Sequence, residues 1–586
     1  MQKLKKFSAH FALFLGFAAY VAAFEPFGVA EFGYVFAVPM FLVARYGGLS
    51  AKAWKVSSLL FSWISWAAIL VWLRHVYPPS GLFFLFSLSL VLALFMFAWL
   101  LALRRVALLP SETVGRRMFG IVFLCSLWVF LEWLRSFVFT GFPWLLLAHS
   151  QWARPAVIQA AEYGGPYIVS FMLLFFNLAL AEFASGIWKR HRMRLAALAG
   201  SAVPRPRFSP AVELYIAIAF ILASFWLYVG DLPEMANPRK GFRVGMVQPD
   251  FAGIMRWDPS LERANFETIE KLTLGLSAAR VDVVLWPESS TPPRWPVLGV
   301  ERVKRWVEGL CVRIGRPIIM GNGAYIEEGG IEKLYNAAFA VSPEGGLSEK
   351  FYAKRKLVPF GEYLPSWCFF LKNTVVPVGR MQRGEGPVVL DCEIAGKSYG
   401  VGPVICYEDI FPPIGRDTAR AGADVLFVCT NDSWYGREGG AWQHAAHSAF
   451  QAVSTRRPLL RSSINGLSGV FDQYGRLVPA FTLLDKNGAA FDGSGEPAEV
   501  LDVVDEGGRP LSPDTLARKR GGPLADPNGS IYFRGAGYAD LVFYGKFDSF
   551  ETFYVRHGDW LPKLCAAFLA LAFFLRKKCL TLPSEK

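Results

Sequence analysis

The sequence predicts a polytopic α-helical membrane bundle of about eight spans joined to an α/β domain. Three observations predict it. Long apolar runs fill the first 240 residues and recur once near the C-terminus. Basic residues collect in alternate loops between those runs. From about residue 240 onward, short β-rich runs alternate with amphipathic helical stretches. Composition agrees: of 586 residues, 53% are hydrophobic and 19% charged, against about a quarter charged in an average soluble chain. That excludes a disordered chain and argues against a simple water-soluble one.

Seven apolar runs lie near 7–24, 27–44, 56–73, 81–103, 119–139, 166–184 and 212–229, and an eighth near 559–575. Most reach the roughly 17–25 residues that cross a bilayer's hydrocarbon. One such run could be a buried core helix; seven in succession argue for a bundle. The first run, with Lys3, Lys5 and Lys6 ahead and Val21-Ala22-Ala23 near its end, also resembles a signal peptide. The next run follows so closely that an uncleaved span is the simpler reading.

Loop charge sets the expected orientation. Basic residues gather at the N-terminus, at Arg45, Lys52 and Lys55, and at Arg104, Arg105, Arg116 and Arg117. They gather again from Lys189 to Arg207 and at Arg576, Lys577 and Lys578. The intervening loops carry little beyond Arg74 and Arg154. An N-in chain with seven crossings places residues 240–555 on the outer face. The expected organisation is thus a bundle over 1–239, an outer domain over 240–555, and a last span with a cytoplasmic tail over 556–586. The formal charge of +13 is then largely topological and calls for no nucleic acid. Glu132 and Arg135 fall inside the fifth run, one turn apart; they read equally as a functional pair or as a local ion pair. The stretch 139–144 reads as a Gly/Pro break at the outer interface with aromatic anchors.

In the outer domain the expected strands are 243–247, 281–286, 317–321, 400–405, 424–429 and 459–463, with helical patterns at 259–279, 302–313 and 440–454. Such alternation means an α/β domain, where functional groups collect at strand ends. Eight Cys are scattered without a CxxC pair, so neither a disulfide scaffold nor a structural zinc site is expected. Other chemistries fail on spacing. Gly466-Leu467-Ser468-Gly469 lacks the GxSxG pattern. His444 and His447 have no evident third metal ligand. Gly396-Lys397-Ser398 has Asp391 where a P-loop needs its first Gly.

Three polar residues remain at strand ends. Glu288 follows the run Val283 to Pro287, Cys406 ends the run Val401 to Ile405, and Lys354 precedes Leu357-Val358-Pro359-Phe360-Gly361-Glu362. Taken singly, each has an ordinary explanation: a surface acid, a buried thiol, a solvated lysine. Taken together, Trp286-Pro287-Glu288, Lys354 and Ile405-Cys406-Tyr407-Glu408 resemble the Glu-Lys-Cys triad of the nitrilase superfamily. With the spans, and with 139–144, Gln248, Trp257-Asp258-Pro259, Thr430 to Gly436 and Arg556 to Trp560, the chain resembles the superfamily's membrane-embedded branch, the bacterial apolipoprotein N-acyltransferases, over essentially its whole length.

The resemblance implies an αββα sandwich for the outer domain and a role for each residue. Cys406 is the expected nucleophile, Glu288 the general base, and Lys354 the cation facing the oxyanion. Glu362 is the expected supporting acid, and Trp257, Tyr407 and Glu408 are expected to serve activity or substrate contact. It further implies a phospholipid acyl donor, a diacylated apolipoprotein acceptor, no cofactor or metal, a monomer, and residence in the bacterial inner membrane. One departure stands out: the stretch 500–550, Gly/Pro/Asp-rich and then aromatic, is longer than the family usually carries. Two rivals stand beside this reading, a membrane-tethered nitrilase-type amidase and a transporter with a ligand-binding outer domain.

Overall fold

The computed structural model describes residues 2–76, 80–110, 113–198, 211–251, 258–292, 294–366, 368, 381–437, 439–477, 481–485, 489–490, 522–526, 529–545 and 551–579. The chain divides into two compact units, Met1–Val229 with Asp559–Lys586, and Gly230–Gly558.

The first unit is helical. Its elements are α1 (Gln2–Ala22), α2 (Ala37–Tyr46), α3 (Ala51–Ile69), α4 (Ser80–Ala107) and α5 (Val114–Leu134). Two one-turn helices follow, α6 (Pro155–Ile158) and α7 (Ala161–Gly164), then α8 (Pro166–Leu198) and α9 (Val212–Met235), and the helix Trp560–Cys579 completes the unit. By length and composition α4, α5, α8 and α9 can cross a membrane, and shorter apolar helices lie at Phe7–Ala22 and Trp560–Leu575. The run 27–44 differs from expectation. Gly28 turns the chain at φ 58°, a 3₁₀ turn covers Ala30–Tyr34, and only the ten-residue α2 follows. Ten residues rise about 15 Å, half the hydrocarbon thickness, so this run does not form one spanning helix and a count of eight is not reached that way.

Outward-facing Leu222, Phe225 and Trp226 on α9, and Leu571, Phe573 and Phe574 on the last helix, give a surface suited to hydrocarbon. Inside, several polar side chains are tied down. Arg45 meets both oxygens of Glu182 at 2.6 and 2.8 Å, and Asn177 spans the Ala37 N–H and the Gly33 carbonyl at 2.9 and 2.8 Å. Glu132 and Arg135 turn to different partners. Glu132 accepts from Trp128 Nε1 at 2.8 Å and from the Leu147 N–H at 2.7 Å, while the Arg135 guanidinium lies 5.1 Å from the Trp66 ring centroid. Trp144, expected as an interfacial anchor, is buried among aromatics instead, stacked on Phe142 and 4.8 Å from Trp72.

The second unit is built on two sheets. In chain order the strands are β1 (Arg239–Gln248), β2 (Val283–Trp286), β3 (Ile318–Glu328), β4 (Ile331–Ser342), β5 (Gly346–Leu347) and β6 (Tyr352–Ala353). Then come β7 (Leu390–Ile394), β8 (Lys397–Ile405), β9 (Val425–Thr430), β10 (Leu459–Ser463), β11 (Gly469–Phe471), β12 (Thr482–Leu483) and β13 (Gly535–Phe543). One sheet runs β12-β13-β1-β2-β3-β4-β5 with β6 on β4; the other runs β11-β10-β9-β8-β7. β1, β2 and β3 are parallel neighbours, as are β8, β9 and β10. Strand period 2 sorts the side chains. Val283 and Leu285 enter the core between the sheets with Val401, Ile405, Val425 and Phe427. Val284 and Trp286 face helices α10 (Glu262–Ala278) and α11 (Glu301–Ile314). Helices α12 (Pro412–Arg420) and α13 (Gly440–Thr455) lie against the second sheet. The result is the expected α/β domain, helix–sheet–sheet–helix.

Sequence reading places the six strands it names and all three helices, the first preceded by a 3₁₀ turn at Pro259–Leu261. It passes over β4, β7 and β13, whose apolar residues are interleaved with Asn336, Asp391, Glu393 and Asp540.

Candidate active site

The two sheets come into close contact near the ends of β2 and β9. Gly321 on β3 makes this possible: an added Cβ there would lie 2.7 Å from Glu288 Cα and 2.8 Å from Cys429 Sγ. No side chain fits, so the strand end bearing Glu288 settles against the strand beside Cys406. β8 pairs in parallel with β9, Ile405 opposite Cys429, and the chain leaves β8 at Cys406 in a left-handed turn, φ 51°. That conformation costs an L-residue about 1–2 kcal/mol and persists only where its surroundings hold it.

Glu288, Lys354 and Glu362 are buried together. Lys354 Nζ donates to Glu362 Oε1 at 2.9 Å and to Glu288 Oε1 at 3.3 Å. Asn336, on β4, donates its Nδ2 to the same two oxygens at 2.7 Å each. Glu362 Oε2 accepts from the Val358 N–H at 2.7 Å, which fixes the turn carrying it. Lys354 has no exposed surface. Burial alone would drive off its proton, but the Glu362 and Glu288 carboxylates and the neighbouring Cys406 outweigh it and hold its pKa well above the ordinary range. The ammonium is therefore permanent at neutral pH.

Cys406 belongs to the same electrostatic group. Burial and the Glu288 carboxylate push its thiol up to about 12, against the opposing pull of Lys354, the Thr430 hydroxyl and the Asn431 N–H. At rest it is a neutral thiol under the influence of both the Glu288 carboxylate and the Lys354 ammonium, a base and a cation of the kinds that thiol acylation needs.

The remaining expected residues divide. Tyr407 packs edge-on against Phe411 at 5.2 Å. Glu408 is fully buried and braces the turn: one oxygen accepts from the Arg355 and Lys356 N–H groups at 2.5 and 3.0 Å, the other from Tyr352 OH and the Ile405 N–H at 2.8 and 2.9 Å. It thereby ties the start of the Cys406 turn to the segment after Lys354. Trp257, and most of the 500–550 stretch, lie outside the described residues. Among the described residues no group of three His, Cys, Asp or Glu side chains is arranged to hold a metal ion.

Sequence reading does not find Asn336 or the charges behind Cys406. Asp432, His444, Arg461 and Asp409 all lie within the second sheet and α13 or the turns beside them, wholly buried or nearly so. Arg461 shows only as polarity inside an apolar strand, Leu459-Leu460-Arg461, and Asp432 only as a member of the family-like stretch Thr430 to Gly436.

Comparisons with known proteins identify the family. Residues 17–179 match the family model of the apolipoprotein N-acyltransferase N-terminal domain, and residues 243–483 match the carbon-nitrogen hydrolase model. An apolipoprotein N-acyltransferase of Geobacter metallireducens is 31% identical over 64% of this chain and 70% of its own length. One of Brucella melitensis biotype 1 is 30% identical over 60% of this chain and 63% of its own. Among solved structures, an amidase of Nesterenkonia sp. AN1 aligns with 15% identity and TM-score 0.33 over 56% of this chain and 98% of that one. Long apolar helices, a carbon-nitrogen hydrolase domain and these relatives together make the chain a membrane protein that belongs to the apolipoprotein N-acyltransferase family.

Proposed function

We propose that the chain transfers an acyl group from a membrane phospholipid to the N-terminal α-amine of an S-diacylglyceryl-cysteine lipoprotein, the last step of lipoprotein maturation, through a thioester on Cys406. The carrying observation is the single buried group of Glu288, Lys354, Glu362 and Cys406. Glu288 takes the thiol proton as sulfur attacks the ester carbonyl. The tetrahedral oxyanion faces Lys354, an interaction strengthened where water is excluded. Collapse of the intermediate breaks the ester C–O bond, and the proton on Glu288 passes to the leaving lysophospholipid oxygen. The α-amine then attacks the thioester, Glu288 accepts its proton, the C–S bond breaks to give the amide, and Glu288 returns that proton to the departing sulfur, restoring the thiol and the base.

A membrane setting suits both substrates. Each buried CH₂ of an acyl chain is worth about 0.8 kcal/mol, so chains must stay in hydrocarbon while ester and amine reach the sulfur. We place this domain outside the cytoplasm of a bacterial inner membrane, with both termini inside, on the alternation of basic loops. We also take the chain to act as a monomer, since all the proposed reacting groups come from one chain. Trp257 and Tyr407 are assigned to substrate contact, Glu408 to bracing. A tethered amidase hydrolysing small amides is not favoured: one helix would anchor it.

The test is intact-mass measurement after incubation with phospholipid. An acyl adduct on Cys406, released by hydroxylamine, is expected; Cys406→Ser should carry none and should abolish N-acylation while remaining folded. An unmodified Cys406 in an active preparation would overturn the acyl-enzyme scheme.

A further inference from the structure

Cys406 departs from β8 in a conformation its own side chain disfavours, so something must hold the peptide groups on both sides of it. Before the residue, the Ile405 N–H is held by Glu408. After it, the Cys406 carbonyl oxygen lies 3.1 Å from His444 Nε2. A carbonyl only accepts, so Nε2 carries a proton and donates it. The imidazole is itself fixed. Its Nδ1 lies 2.9 Å from Asp432 Oδ1 and 2.9 Å from Arg461 Nη2, and the Tyr435 ring meets it edge-on at 5.7 Å. Arg461 spans Asp432 and Asp409 at 2.9 Å each, and Ser448, one turn after His444 on α13, donates to Asp409 at 2.5 Å. Asp432 accepts from Thr430 Oγ1 at 3.0 Å, the hydroxyl that also faces the Cys406 thiol. His444, Asp432, Asp409 and Arg461 have side chains with no exposed surface, and they bond to one another and to the Cys406 carbonyl.

We infer that His444 is a positioning residue for acyl transfer: its Nε2–H holds the Cys406 carbonyl so that the strained turn keeps Sγ aimed between Glu288 and Lys354, with Asp432 and Arg461 fixing the ring. This rests on Cys406 being the acylated nucleophile. The anchor works through the peptide group and forms no bond to the lipid. Its loss therefore lowers the rate of acyl-enzyme formation and leaves phospholipid binding unchanged.

The variants His444→Gln and His444→Asn separate this role from mere filling. A Gln amide nitrogen reaches the place of Nε2, while an Asn amide reaches only the place of Nδ1, beside Asp432 and Arg461. Acyl-adduct formation on Cys406 is followed by intact mass against phospholipid concentration, with thermal unfolding of each variant alongside. The Gln variant should form adduct within about fivefold of the parent maximal rate. The Asn variant should fall about thirtyfold in maximal rate, with half-saturating phospholipid unchanged; that is about one lost hydrogen bond at a decade per 1.36 kcal/mol. Equal rates in both folded variants, or a faster Asn variant, would overturn the inference. Should the Asn variant not fold, a folded Gln variant below a tenth of the parent rate would overturn it alone. A parent protein that forms no adduct would sink the thioester reading instead, so the two failures are distinct.

Discussion

Two clusters of buried charge flank Cys406, and they are built differently. In one, a flexible ammonium, Lys354, sits between two carboxylates whose residues, Glu288 and Glu362, keep 6% and 9% of their surface. In the other, a planar guanidinium, Arg461, is clamped between Asp409 and Asp432, with nothing exposed. Lysine presents a point charge that can re-aim, whereas arginine's fork fixes geometry. The difference is one of use: one cluster sets a point charge beside the thiol that the proposed reaction acylates, and the other holds the backbone that carries that thiol. The carboxylates follow suit. Burial would raise Asp432, but Arg461 and His444 hold its pKa below the ordinary value, so it is locked as an anion.

The largest effect that breaks the comparison is on rate. Lys354→Ala should lower acyl-adduct formation about 10³-fold, the scale of one lost oxyanion partner, with phospholipid still bound. Its effect on thermal stability should be smaller than that of removing Arg461, because Glu288 and Glu362 keep 6% and 9% of their surface and are the more readily hydrated once the ammonium is gone. Unchanged turnover would move Lys354 from the first kind of cluster to the second.

Arg461→Leu should do the reverse. Removing one partner of a fully buried pair costs about 3–5 kcal/mol, and here two carboxylates, Asp409 and Asp432, lose their cation at once. Chemical or thermal unfolding should therefore report a loss of that size, well beyond that of Lys354→Ala. A destabilisation equal to or smaller than the lysine variant's would erase the distinction between poised and locked charge.

How much of this was legible beforehand follows the same division. Glu288, Lys354 and Cys406 stand at strand ends, where the alternation of the strand stops and a polar residue's identity reads as chemistry; with their flanking motifs they are visible in the sequence. Asn336, His444 and Arg461 sit within strand or helix, and their meaning depends on which strand lies beside which. That pairing is long-range: Arg461 meets Asp409 and His444 through the order β10-β9-β8, which no local pattern encodes. In the sequence His444 reads only as a failed metal ligand, because its partner is a backbone carbonyl, which leaves no mark there. The bundle shows a related limit. Apolar runs announce helices, but the run 27–44 is divided by Gly28, whose left-handed turn hydropathy does not register.

The smallest expected effect tests whether the first cluster is closed in the resting protein. Cys406 has its thiol raised from an ordinary value of 9.0 to about 12, chiefly by burial and by Glu288. The folded state therefore keeps a proton between pH 9 and 12 that the unfolded chain gives up. Protons bound by the folded form exceed those of the unfolded one across that window, so stability falls as pH rises through it. Below pH 9 the contribution is complete. By pH 10 it should have fallen by about 1 kcal/mol, at 1.36 kcal/mol per unit. Lys354 slopes the same way, so the wild type alone does not isolate the thiol; the difference from Cys406→Ala does. Between pH 8 and 10 the wild type should lose about 1 kcal/mol more than the Ala variant in thermal or denaturant unfolding. Parallel curves would mean that water reaches the sulfur before any lipid arrives, and the poised cluster would then be an open one.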